Sequence, residues 1–261
     1  MTLLPPTPAQ QKRIDKELAP DPEVRKQDIR TLREWLSKQP HLPNHIDDAK
    51  LERFLFNCKN SIERCKLILE RYYTVRTSLP EFFAARDPLS QDIQDCFTTI
   101  ECVVLPSLTE EGYRVTIFRL RNPDMEKFSV QAIVRRVLMQ LDIRLLEEVC
   151  LSNIFVLDLE NFSMPHIAKF IPTQSIVRRA MLAVQGSMPY RLAGVYFLHA
   201  PSFISNLINM FYPLLKEKDW FLRDEKLSRT NEKARLLESK ASCVMMEFEG
   251  IQGSFRKLNI D

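Results

Sequence analysis

Two short apolar strands bracket a helix, and a very oily helix follows at once. That succession constrains the chain more than any other feature. Residues 153–159 and 192–200 read as buried strands, and a helix between them is expected near 176–185. Over 202–216, Ile204, Leu207, Phe211 and Leu215 form one helical stripe, which Phe203, Met210 and Leu214 widen. Only Ser205, Asn206, Asn209 and Tyr212 interrupt it. An apolar surface so broad is either buried in a core or covers something that is not protein. Apolar density falls after Lys218, so no obvious following strand seals this helix down, and it reads as a cover.

The rest of the second half fits an α/β arrangement. Residues 113–120 predict a strand, introduced by Gly112. Residues 128–149 predict a strong helix, with Val130, Val134, Val137, Leu141 and Leu145 at helical spacing. Short apolar strands alternating with helices imply a small, mostly parallel sheet with crossover connections. The first half is helical. A helix over 23–39 ends at Pro40 and Pro43, Asp47 or Asp48 caps the next, and Ser61 caps a third running to Arg76. Three organisational units follow: a helical lead-in over 1–88, a sheet-bearing domain over 89–218 and a charged tail over 219–261.

Composition removes several classes. The chain's 261 residues hold only five glycines, which rules out GxGxxG and GxxxxGK[ST] phosphate cradles. A net charge of +3 argues against nucleic acid as the main partner. No apolar run reaches the ~20 residues of a membrane-spanning helix. The first residues lack a signal peptide's basic and apolar regions, so the six cysteines, without metal or redox spacing, read as reduced cytoplasmic thiols. His166 and His199 have no second ligand at metal spacing and read as hydrogen-bonded structural residues. Glu147 and Glu148 read as a solvated helix end, and Asp158 as a turn-fixing residue beside Glu160. There is no nucleophile elbow, and Cys150 has no evident histidine partner. No catalytic residue, metal or cofactor is called for.

Particular segments carry a family resemblance. The run from Ile154 to Ser163 (IFVLDLENFS), and that from Met188 to Pro201 (MPYRLAGVYFLHAP), resemble the central strands of CRAL-TRIO lipid-binding domains. Leu32–Leu36 (LREWL), Leu51–Leu55 (LERFL), Cys58 with Lys59, and Tyr72–Arg76 (YYTVR) resemble the helical lead-in of the insect tocopherol-transfer-protein-like subgroup. Residues 248–261 resemble its C-terminal tail. One departure stands out. The family follows the cover helix with a strand ending in His-Gly and then a Leu-Pro-x-Glu-Tyr-Gly-Gly segment. Here Lys218 runs directly into Asp219-Trp220-Phe221, and neither a His-Gly nor a Gly-Gly pair occurs. An internal piece looks missing. The expected consequence is a sheet edge beyond 192–200 with unpaired backbone groups.

The resemblance implies a fold with a hydrophobic gate helix, and a ligand pocket lined by Leu138, Leu157, Val184, Met188, Leu192, Val195, Ile204, Leu207, Met210, Phe211 and Leu214. Sequence pattern alone does not separate such lining from ordinary core. The resemblance also implies phosphoinositide binding by Lys59, Arg191 and Lys218, where a solvated basic surface is the plain alternative. The implied function is binding and transfer of one hydrophobic ligand (tocopherol-, retinoid- or phospholipid-like), with docking to membranes containing phosphatidylinositol bisphosphate. The protein is then a cytoplasmic monomer, peripherally associated with anionic membranes and without nucleic acid. The rival readings are a lipid-sensing module without net transfer, a truncated form that retains ligand poorly, and an α/β enzyme of unrecognised chemistry.

Overall fold

The computed structural model describes residues 3–18, 21–43, 45–170, 174–185, 187–202, 248–250 and 255–258. Five helices come first: α1 (Pro8–Leu18), α2 (Pro22–Ser37), α3 (Asp48–Asn57), α4 (Ile62–Ser78) and the short α5 (Pro80–Phe83). Their starts follow local chemistry. Asp21 accepts a hydrogen bond from the Glu23 amide at 2.8 Å, with Pro22 in the first helical turn. Asp47 accepts from the Lys50 amide at 2.7 Å, and Ser61 from that of Arg64 at 3.4 Å. Each cap satisfies a backbone donor that has no partner inside its helix.

Next come α6 (Gln91–Thr99), β1 (Ile100–Val104), β2 (Tyr113–Leu120), α7 (Val130–Glu147), β3 (Ser152–Asp158), α8 (Met164–Phe170), α9 (Gln174–Gln185) and β4 (Leu192–Leu198). Two further strands, β5 (Phe248–Gly250) and β6 (Phe255–Leu258), give the sheet order β1-β2-β3-β4-β6-β5. The fold is α/β as expected, and the parallel part is its centre. Strands β2, β3 and β4 run parallel through the α7 and α8–α9 connections, while β1, β6 and β5 add antiparallel pairings. The expected bare edge beyond β4 is overturned. Strand β6 pairs there, Val195 opposite Leu258 and Leu198 opposite Phe255, and satisfies groups that an edge strand leaves open. The expected cover helix lies outside the described residues.

Helix α7 is the central element because it has two working faces. Leu138, Leu141 and Leu145 join one buried cluster with Leu32, Phe54 and Leu69 of the leading helices. Toward the sheet, Arg136 donates to the Ile100 carbonyl at 2.6 Å, and the Gln140 side-chain oxygen accepts from the Cys102 thiol at 2.8 Å. Ser129 caps the helix by accepting from the Ala132 amide at 3.3 Å.

A polar clamp fastens the leading helices to α7. Asp142 accepts from the Tyr72 hydroxyl at 3.2 Å, from Arg86 at 2.6 Å and from Arg76. The Arg76 guanidinium also lies 3.3 Å from the Tyr72 ring centroid. Replacing Asp142 by Ala leaves two half-buried guanidinium groups without their carboxylate. The expected loss is about 2–4 kcal/mol of unfolding free energy. Urea unfolding of the full chain checks this, and an unchanged midpoint would show that the clamp contributes nothing.

Candidate functional site

The geometry of the parallel centre assembles a two-part surface on the α7 side of the sheet. Residues paired across neighbouring strands share a face and form rows. One row runs Cys102, Phe118, Leu157, Phe197, and the next runs Val104, Thr116, Phe155, Val195. Phe118 and Phe155 meet with ring centroids 5.8 Å apart. Phe197 is buried, whereas Phe118, Leu157, Phe155 and Val195 are half-buried. These rows occupy the C-terminal half of the parallel strands, the end at which open α/β sheets take ligands.

Nearer the strand starts, Arg114, Asn153 and Leu192 form a row of different character. Glu148, at the end of α7, holds two arginines at once. Arg144 Nε donates to Glu148 Oε2 at 2.6 Å, and Arg114 Nε donates to Oε1. Arg144 also donates to Thr116 Oγ1 at 3.2 Å and to Asn153 Oδ1 at 2.6 Å. Arg114 Nη1 reaches the carbonyls of Leu105 and Pro106 at 2.7 and 2.8 Å. Arg114, Arg144 and Glu148 are only 2, 4 and 7% exposed. The reading of Glu147 and Glu148 as a solvated pair is therefore corrected: Glu147 is exposed, but Glu148 turns inward to two cations.

Comparison with known proteins matches this architecture in two stretches. Residues 21–93 match the family description "Pinta-like, UBA domain", and residues 99–220 match "CRAL/TRIO domain". The chain carries a CRAL/TRIO domain. Relatives include clavesin-1 of Xenopus laevis, 30% identical over 209 residues, or 77% of this chain and 61% of the relative. Clavesin-2 of Homo sapiens is 29% identical over 209 residues, covering 77% and 62%. The alpha-tocopherol transfer protein-like protein of Mus musculus is 28% identical over 207 residues, covering 78% and 59%. The chain thus spans about three-fifths of the length of the curated relatives it matches.

Within the CRAL/TRIO domain the expected lining residues separate. Leu157 and Val195 lie in the apolar rows, and Leu192 lies in the polar row. Leu138 and Met188 are buried in the cluster shared with the leading helices, and Val184 packs against it. Ile204, Leu207, Met210, Phe211, Leu214 and Lys218 lie outside the described residues. Lys59 and Arg191 meet at one carbonyl. The Lys59 amide and Arg191 Nη1 donate to the Phe56 oxygen at 3.1 and 3.2 Å. Arg191 Nη2 adds a bond to the Cys150 carbonyl at 2.9 Å, and burial pulls the pKa of its guanidinium down. The Lys59 side chain is exposed, on backbone in the left-handed region at φ 55°.

The two histidines diverge. His166 is buried, with Nδ1 2.7 Å from Ser163 Oγ and Nε2 3.2 Å from the Pro123 carbonyl, a structural role as expected. His199 sits at the end of β4 beside the end of β3, with Nδ1 2.8 Å from Asp158 Oδ1. Asp158 also accepts from the Glu160 amide at 3.2 Å, so it does fix its turn. Ligand atoms of Asp158, Glu160 and His199 lie within 4.8 Å of one another, a grouping that spacing along the chain did not reveal.

Two outcomes follow. Glu148→Gln removes the charge shared by two buried guanidinium groups and should cost about 3–5 kcal/mol, read as a lower urea midpoint. The hydrogen bond to Asp158 holds the His199 pKa above the usual histidine value. Its contribution to stability is then fully present below the unfolded pKa of about 6.5 and is lost as pH rises through the folded value. NMR titration should show the raised value in the native chain and its loss in Asp158→Asn. Identical titrations would discount the pair.

Proposed function

We propose that the chain binds one hydrophobic ligand on the α7 side of the sheet and carries it between membranes. The single observation that supports this is the pair of half-buried apolar rows at the C-terminal half of the parallel strands in a CRAL/TRIO domain. Leu157 and Val195 line the site, while the expected lining positions Ile204, Leu207, Met210, Phe211 and Leu214 lie outside the described residues. Phe118, Phe155 and Phe197 extend the lining. The printed name of the murine relative supports a tocopherol-like ligand as the first to try. No catalytic step is proposed.

Delivery involves docking on cytoplasmic membranes that contain phosphatidylinositol bisphosphate, through Lys59, Arg191 and Lys218. The Lys59 backbone amide shares the Phe56 carbonyl with the Arg191 guanidinium, so the two positions adjoin, and the Lys59 side chain is exposed. Each basic residue near an anionic surface contributes about 1 kcal/mol, weakened by salt.

Native mass spectrometry of the purified full chain should show one bound lipid, or uptake of added α-tocopherol. Leu157→Asp should weaken loading at least tenfold, because a carboxylate would be desolvated against hydrocarbon. Sedimentation should favour vesicles with phosphatidylinositol bisphosphate over neutral ones, and Lys59→Ala should reduce that binding about fivefold at low salt. Absence of any lipid adduct would overturn the carrier reading. Equal, salt-independent sedimentation with both vesicles would overturn the docking mode.

A further inference from the structure

The buried polar row beneath the apolar rows is not electrically balanced. Among the described residues, two guanidinium groups, Arg114 and Arg144, share the single carboxylate of Glu148, leaving one positive charge uncompensated within that row. Asn153 and Thr116 complete the set but carry no charge, and the nearby Arg191 adds a second cation whose carbonyl accepts from Asn153 Nδ2 at 3.1 Å. An arginine offers five N–H donors. Among the described residues, Arg144 uses three of them, on Glu148, Thr116 and Asn153. A charge with unused donors, removed from water, favours an anionic acceptor far more than a neutral one.

The position of this charge gives it meaning. Thr116 belongs both to the cluster, through Arg144, and to the apolar row of Phe155 and Val195. Its bond to Arg144, at 3.2 Å, is the longest that Arg144 makes in the cluster. A chain molecule lying along the strands, its tail over Phe118 and Leu157, brings its head to that junction. We infer that the ligand is a long-chain amphiphile ending in a carboxylate, inserted head first, with the carboxylate received at Arg144 beside Thr116. This rests on the lipid-binding reading and narrows its ligand class. An alcohol of equal length fills the apolar rows equally well but leaves the extra charge unbalanced.

The test compares hexadecanoic acid with hexadecan-1-ol on the delipidated full chain at pH 7.4, by titration calorimetry below their aggregation limits. The acid should bind at least tenfold tighter than the alcohol. In Arg144→Met the preference should fall to near unity, with folding checked by circular dichroism. Arg144→Lys, which keeps the charge, should retain part of it. If Arg144→Met does not fold, the native protein at high ionic strength and the Lys variant still decide, because a buried anion site keeps its preference in salt. Equal binding of acid and alcohol overturns this inference and leaves lipid binding intact. Binding of neither likewise overturns this inference, while the carrier reading is decided separately by the lipid adduct in native mass spectrometry. An acid preference undiminished in a folded Arg144→Met protein places the head elsewhere and overturns the assignment.

Discussion

Everything around the sheet depends on one buried carboxylate. Glu148 draws Arg144 from its own helix and Arg114 from β2, and through them reaches Thr116, Asn153 and the carbonyls of Leu105 and Pro106. Buried ion pairs add little net stability, since desolvation offsets the attraction. Their hydrogen bonds are directional, however, and a hydrophobic replacement would not tie the end of α7 to β2, β3 and the loop before β2 in one geometry. The cluster fixes where α7 lies over the sheet, and hence the depth of the surface between them.

Helix α7 then relays that position outward. Its leucine side enters the core of the leading helices, and Asp142 on the same helix gathers Tyr72, Arg76 and Arg86. The lead-in helices and the sheet therefore meet the same element from two directions. A shift of α7 has to disturb both the apolar cluster and the buried ions. This coupling gives the half-buried rows of Phe118, Phe155, Leu157, Val195 and Phe197 a firm floor.

Local signals were the legible part of the sequence. Carboxylate and hydroxyl caps at Asp47 and Ser61 set helix starts, and β2 emerged over the range expected from its residues. What needed three dimensions was register. Nothing in the spacing of Phe118, Leu157 and Phe197 says that they form one row, because parallel pairing is fixed by distant crossovers. Glu148 was misread for a related reason: a doubled glutamate at a helix end resembles a solvated terminus until the facing arginines are known. Strand β1 was hidden because IECVV is short and follows helix α6 without a turn signal. Leu138 and Met188 show the remaining limit, since apolar residues on a helix or before a strand read alike whether they face a cavity or a neighbouring helix.

The pairing of β6 with β4 has a consequence for how the molecule is made. Strand β4 leaves the ribosome well before the segment that will flank it, so during synthesis the parallel centre waits with one side open. Chain elongation proceeds at about 5–20 residues per second, whereas hairpins and helices form in microseconds. Some seconds of synthesis therefore separate β4 from the strand that covers its open side, long enough for a chaperone or another nascent chain to meet it. Closure is the late event, and the opportunity for misassembly is set by translation rather than by the intrinsic speed of folding.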